Sequence, residues 1–198
     1  MDAEANASTK LILASASPRR RDLLLTAGIH VFMEPADIEE LLVHDSPRSL
    51  VQENADLKAM AVARRFPGEI VLGADTIVVI DGDILGKPRD HNHAASMLGR
   101  LSGRTHEVLT GVCILRGGGN ERCRFVEATY VRFRNLGEET INSYLKEINP
   151  LDKAGSYAAQ DDRGRLIESI EGSMDNVIGL PVQRVLEALA RHFPAPCS

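Results

Sequence analysis

Ile70-Val71-Leu72-Gly73-Ala74-Asp75-Thr76-Ile77-Val78-Val79-Ile80 is almost wholly apolar and β-branched. Such a run predicts a buried strand, or a pair of strands, at the heart of a sheet. One carboxylate, Asp75, interrupts it, directly after two very small residues, Gly73 and Ala74. An unpaired carboxylate buried there costs several kcal/mol, so Asp75 requires a cation, a metal or a strong donor beside it. Gly73 and Ala74 leave room for a bulky group to come close to the backbone. Two readings of Asp75 stay open on this stretch alone. It is a catalytic or metal-binding group in a cleft, or a capping or turn residue between two strands. The supply of basic residues elsewhere in the chain favours the first.

A chain of 198 residues suits one sizeable domain, or one domain with a lobe. Residues 1–10 are polar and acidic and are expected to form a loose tail, leaving residues 11–198 as a single domain. A net charge of -5 argues against general affinity for nucleic acid or anionic membrane, so any polyanion site must be a local basic pocket. Aromatic residues are scarce and Trp is absent, which speaks against base-stacking single-strand binding. Cys113, Cys123 and Cys197 form no close pair, as expected of reduced thiols in a cytoplasmic setting. No apolar run approaches the roughly 20 residues needed to span a bilayer.

Upstream of the central stretch, residues 11–14 read as a strand that meets Ser15-Ala16-Ser17-Pro18-Arg19-Arg20-Arg21. Ser17 followed by Pro18 predicts a helix start with Ser17 as N-cap, running to about Ala27 and stopping at Gly28. Arginines in a first helical turn oppose the helix dipole, and a bound anion would relieve the conflict. The bland alternative is a solvated basic turn paired with acids such as Asp22. Residues 30–34 read as a strand. The acidic Asp37-Ile38-Glu39-Glu40 is either a solvated face or the source of a second carboxylate beside Asp75 for Mg²⁺. Ser46-Pro47 opens a helix to about Phe66, with Leu50, Leu57 and Ala61 as its buried stripe and Lys58 beside it.

Downstream, Asp81-Gly82-Asp83 is a turn, and Lys87 stands on a stiff segment before Pro88, either a surface lysine or one presented to a ligand. A helix over residues 90–101 carries His91 and His93, whose spacing separates the rings, so both are expected in solvent. Residues 105–115 and 122–133 read as strands joined by a flexible tip, Gly117-Gly118-Gly119-Asn120, which lacks the Lys and following helix of a P-loop. A helix over 137–147 leads to an irregular segment, residues 152–161, carrying Lys153 and Gln160. Gln160 both donates and accepts, which suits the edge of a nucleobase, though an unliganded polar loop is equally readable. A strand over 166–170 and a closing helix over 182–192 complete an α/β pattern.

Several of these segments match one family together. Ser15-Ala16-Ser17-Pro18-Arg19-Arg20, Gly73-Ala74-Asp75-Thr76, Lys87-Pro88-Arg89-Asp90, Leu101-Ser102-Gly103-Arg104-Thr105-His106, Asp152-Lys153-Ala154-Gly155-Ser156-Tyr157 with Gln160, and Val177-Ile178-Gly179-Leu180-Pro181 occur in order and at fitting intervals. In this combination the chain resembles the Maf (septum-formation-inhibitor-like) nucleoside triphosphate pyrophosphatases. The resemblance implies a Maf/inosine-triphosphatase-like α/β fold, a central mixed sheet with flanking helices forming a two-lobed cleft. It implies hydrolysis of dTTP or UTP, and of modified pyrimidine nucleotides, to the monophosphate and pyrophosphate with Mg²⁺ or Mn²⁺. By the resemblance Asp75 is the proton acceptor, and Ser15, Arg19, Arg20, Lys58 and Lys87 handle phosphate. Glu40 joins Asp75 at the metal, and Arg20, Thr76 and Gln160 separate substrate classes. Lys153 is a further pocket candidate, and a homodimer is expected from the family. Met174 and Asp161-Asp162-Arg163 depart from the family pattern and bear on base preference. The competing reading is a non-catalytic nucleotide-binding regulator of cell division, which would need the basic pocket but not Asp75.

Overall fold

The computed structural model describes residues 10–118 and 121–194. The expected tail, apart from Lys10, lies outside the described residues, as do Gly119, Asn120 and Cys197. Seven strands form one mixed sheet: β1 (Leu11–Leu13), β2 (Phe32–Met33), β3 (Ile70–Ile80), β4 (Asp83–Leu85), β5 (Thr105–Arg116), β6 (Arg122–Phe133) and β7 (Ile167–Glu171). Their order is β2-β1-β3-β5-β6-β7, with β4 on β3. β1 runs parallel to β2 and β3, and every other pairing is antiparallel.

The apolar run is therefore one continuous 11-residue strand. On one edge it pairs with β5 along nearly its whole length. Its other edge is shared, since β1 covers residues 70–72 and β4 covers residues 78–80. Residues 73–77 have no strand partner on that edge, and Asp75 stands in the middle of the break. Chain alternation then sends neighbouring side chains to opposite faces. Asp75 faces one layer of helix and Thr76 the other.

Six helices cover the sheet: α1 (Pro18–Thr26), α2 (Pro47–Ala63), α3 (His91–Leu101), α4 (Glu138–Glu147), α5 (Met174–Ile178) and α6 (Val182–His192). On the Thr76 face, α1 and α6 pack over Leu13, Leu72, Ala74 and Val112, while α3 and α4 pack over Val78, Ile80, Val108 and Val131. These are two separate core clusters on that face. Among the described residues α2 is the helix on the Asp75 face, which it covers through Val51, Ala55, Ala59 and Val62.

α2 lies unusually close. A Cβ on Gly73 would come within 2.4 Å of the Ala55 carbonyl oxygen, and one on Gly111 within 2.3 Å of that of Val51. The bulky group that Gly73 admits is this helix. Its buried stripe also differs from the expected one, because Leu57 and Ala61 are only half-buried while Asn54, Asp56 and Lys58 turn inward. Three polar residues on the sheet-facing side break the apolar period that a sequence reading follows. Each has a partner: Asp56, 1% exposed, is held by Gln52 and by Arg122 and Arg124 from β6.

Smaller differences are local. α2 ends at Ala63 and continues only as turns towards Phe66, β2 is shorter than the expected strand over 30–34, and α5 was not foreseen between Ser173 and Gly179. Ser173 caps α5 by accepting from the Asn176 N–H at 3.2 Å.

Candidate active site

The strand break opens into a cleft of about 780 Å³. Ser15, Arg19, Arg20, Glu40, Lys58, Asp75, Thr76, Lys87, Lys153 and Gln160, drawn from six separate stretches of sequence, all line it. On the α2 face, Lys58 Nζ donates to Asp75 Oδ1 at 2.7 Å and lies 2.8 Å from Glu40 Oε1. Asp75 is 7% exposed, so the ammonium supplies the partner that burial of its charge demands. Burial alone would raise the Glu40 carboxyl, but the Lys58 hydrogen bond and charge outweigh it, with help from Lys87 and Arg20, and hold it below the usual range.

Asn54, one turn before Lys58 on α2, is a site residue that the sequence reading missed. Its Nδ2 donates to Asp75 Oδ2 at 3.3 Å and to the Leu41 carbonyl at 3.0 Å, while its Oδ1 accepts from the Leu41 N–H at 2.8 Å. Asn54 thus staples the acidic loop to the strand and brings Glu40 over Asp75. The available signal was the i, i+4 spacing of Asn54 and Lys58, which puts both on one helix face.

On the opposite face, Arg20 spends its fork on architecture. Nε donates to the Gly179 carbonyl (2.8 Å), Nη1 to Ser15 Oγ (3.2 Å) and the Ala74 carbonyl (2.9 Å), and Nη2 to Thr76 Oγ1 (3.0 Å). Of five guanidinium N–H groups, one is left for a ligand. Burial lowers the Arg20 pKa, and Asp75 opposes that shift. Thr76 Oγ1 also meets Thr110 Oγ1 at 2.9 Å, so its hydroxyl orientation is set by neighbours. Ser17 is the N-cap of α1 by place, but its side chain makes no cap bond; instead its N–H donates to Ser15 Oγ at 3.1 Å. The helix starts where the sequence places it, with Ser17 at the N-cap and Pro18 first in the helix, and only the side-chain cap bond is absent.

Arg19, in the first turn of α1, and Lys153 both bind Asp152, at 2.9 and 2.7 Å. Asp22 pairs with Arg21, so the solvated pairing expected of the basic turn holds for that arginine, while Arg19 and Arg20 turn to the cleft. Lys87 is exposed at the mouth, and Gln160 stands exposed on a 3₁₀ turn, Ala159–Asp161. Asp162 is not part of the cleft: 4% exposed, it accepts from the N–H groups of Gly164, Leu166 and Ile167 and shapes the following turn. His91 and His93 stand away from the cleft, His93 accepting from the Arg89 N–H at 3.2 Å.

The two carboxylates that Lys58 Nζ bridges are hard oxygen donors. Glu40 and Asp75 contribute oxygen only, and no group of three His, Cys, Asp or Glu suited to a metal occurs among the described residues. Two carboxylates completed by water and phosphate oxygens are what Mg²⁺ or Mn²⁺ accepts, and zinc would ask for more nitrogen or sulfur.

A sequence model described as Maf-like protein matches residues 10–192. A dTTP/UTP pyrophosphatase of Symbiobacterium thermophilum is 50% identical over 183 residues, 92% of this chain and 93% of that one. One of Pyrococcus abyssi, also described as dTTP/UTP pyrophosphatase, is 43% identical over 187 residues, 94% of this chain and 98% of that one. Among solved structures, the Staphylococcus aureus Ham1 protein superposes with a TM-score of 0.46 at 15% identity, over 63% of this chain and 72% of that one.

Proposed function

The chain belongs to the Maf-like protein family, and from that premise we propose that it hydrolyses dTTP and UTP to the nucleoside monophosphate and pyrophosphate. The observation that carries this reading is Asp75: a buried carboxylate on the floor of a cleft whose other charged walls are mostly cationic. A pyrophosphatase breaks the bond between the α-phosphorus and the oxygen leading to the β-phosphorus. Water attacks the α-phosphorus, its proton passes to Asp75, and pyrophosphate leaves with the electron pair of the broken bond. Asp75 Oδ1 is committed to Lys58, whereas Oδ2 has only the long Asn54 contact. Oδ2 is therefore the oxygen that takes the proton.

Little covalent work is asked of the protein. Most of the barrier is lowered by placing the triphosphate and neutralising its charge. Lys58, Arg19, Lys87 and Lys153 line the path of the phosphates, and Ser15 Oγ stands near the α1 N-terminus as a further donor. Glu40 and Asp75 would hold a divalent cation, which, when bound, supplies positive charge against the triphosphate. Gln160 offers one donor and one acceptor together, the complement of the O4 and N3–H edge that thymine and uracil share. Cys113 and Cys123 are free, which supports a reducing, cytoplasmic setting. No helix among the described residues is long and apolar enough to cross a membrane.

Asp75→Asn tests the reading. It keeps the shape and removes the proton acceptor, so turnover of dTTP falls by about 10²–10⁴-fold while dTTP binding stays within a few-fold of wild type. Wild-type turnover by the variant would show that Asp75 is not the proton acceptor, and nucleotide binding without turnover by the wild type itself would favour the regulator reading.

A further inference from the structure

Asp152 presents a carboxylate to a cleft that must take up a polyanion. Its side chain is half-exposed, lines the same cleft as Asp75, and among the described residues hydrogen-bonds only to two of the cations already described. Arg19 Nη1 donates to Oδ2 at 2.9 Å and Arg19 Nη2 to the Asp152 carbonyl at 3.4 Å. Lys153 Nζ donates to Oδ1 and to the Asn149 carbonyl, both at 2.7 Å. Burial would raise the carboxyl, and the bonds from Lys153 and Arg19 outweigh it and hold it low. It is therefore charged at neutral pH.

The contact joins the two core clusters of the Thr76 face. Arg19 belongs to α1, which packs through Leu23 and Leu24 into one core cluster; the segment after Asp152 enters the other through Ala154, Tyr157 and Ala159. Among the described residues no backbone N–H is satisfied by the Asp152 side chain, in contrast to Asp162, which holds three. A carboxylate kept for local architecture would look like Asp162. One that bridges two phosphate-directed cations, and is half in solvent, is suited to being displaced.

We propose that Asp152 is a displaceable internal stand-in for phosphate, holding Arg19 and Lys153 together across the cleft until a polyphosphate takes both. The inference rests on the proposed reading of the cleft as a triphosphate site. A phosphate carries more charge and more acceptor oxygens than one carboxylate, so it wins the two cations and Asp152 turns to solvent. Afterwards Asp152 repels the bound pyrophosphate and favours its departure. The residue thus sets how tightly the cleft retains both substrate and product.

The test is calorimetric titration of the full chain with inorganic pyrophosphate, alongside steady-state kinetics on dTTP. Two partly exposed ion pairs are at stake, so Asp152→Asn tightens pyrophosphate binding by about three- to tenfold. KM for dTTP falls in parallel and kcat does not rise. The tightening shrinks in an Arg19→Gln background. Equal or weaker pyrophosphate binding by Asp152→Asn overturns the inference, because Asp152 would then be orienting its cations and not competing for them. Should that variant not fold, Asp152→Ser carries the same expectation. Wild-type turnover of dTTP with pyrophosphate binding unmoved by the substitution defeats this inference alone. Tightened binding with no nucleotide cleaved by the wild type defeats the proposed function alone.

Discussion

Gly73→Ala is the smallest change that separates the strand from the helix that arms it. The added methyl would meet backbone atoms, with the Ala55 carbonyl oxygen at 2.4 Å and the Ala59 nitrogen at 2.8 Å, and backbone cannot rotate away. Restoring ordinary contact near 3.4 Å requires α2 to withdraw by about 1 Å. α2 carries Asn54 and Lys58, so both donors leave Asp75, and the Lys58 bond of 2.7 Å is lengthened beyond hydrogen-bond range. Overpacking of this kind costs about 1–3 kcal/mol, and each kcal/mol lowers Tm by roughly 2–4 °C in a chain of this size. A misplacement of about 1 Å near the chemistry costs on the order of 10²-fold in rate. The assay is a thermal melt followed by kcat for dTTP at a temperature where the variant is fully folded. Gly99→Ala, where no atom stands within 4 Å of the new Cβ, is the control and leaves kcat unchanged. If Gly73→Ala melts and turns over like wild type, the close seating of α2 on β3 is not what places Lys58.

Two further expectations follow from buried polar groups. His106 is 2% exposed, meets the Tyr157 hydroxyl at 2.9 Å through Nε2, and packs edge-on against Phe133, and burial lowers its pKa to about 4. The unfolded chain protonates it near pH 6.5 and the folded one does not until about 4, so stability is full above 6.5 and is lost as pH falls. The loss reaches about 3 kcal/mol by pH 4, and urea midpoints of His106→Gln should fall less steeply between pH 7 and 4.5 than those of wild type. An identical slope would mean that His106 does not titrate out of the core. Arg20→Lys replaces a fork serving four acceptors with a single ammonium, so it lowers stability by about 1–3 kcal/mol and raises KM for dTTP. Unchanged melting would refute the architectural role of Arg20.

Asp75 was legible in the sequence because a charged residue inside a β-branched run conflicts with its surroundings, and the conflict pointed to a partner. The partner itself was not legible. Lys58 stood beside an apolar stripe misplaced onto Leu57 and Ala61, because the helix face that meets the sheet is mixed, carrying Asn54, Asp56 and Lys58. Gly73 was read as an opening for a bulky group, which turned out to be the backbone of α2. The strands and long helices were readable from period and turn residues. The break in strand pairing at residues 73–77 was not, since it depends on where β1 and β4 end along β3. Likewise Arg20 and Thr76 were separate motif pieces until strand alternation turned Thr76 towards α1. Local pattern reveals which residues are out of place; only topology shows what they are out of place for.

The central claim, that the Asp75 cleft cleaves a pyrimidine nucleoside triphosphate between its α- and β-phosphates, is most directly tested by turnover in ¹⁸O-labelled water. dTTP, UTP and purine triphosphates are compared with Mg²⁺, with Mn²⁺ and with EDTA, and the products are weighed by mass spectrometry. The account predicts metal-dependent conversion of dTTP and UTP to the monophosphate and pyrophosphate, with the label in the monophosphate. Release of inorganic phosphate with a nucleoside diphosphate, or binding of every nucleotide without cleavage, would contradict it.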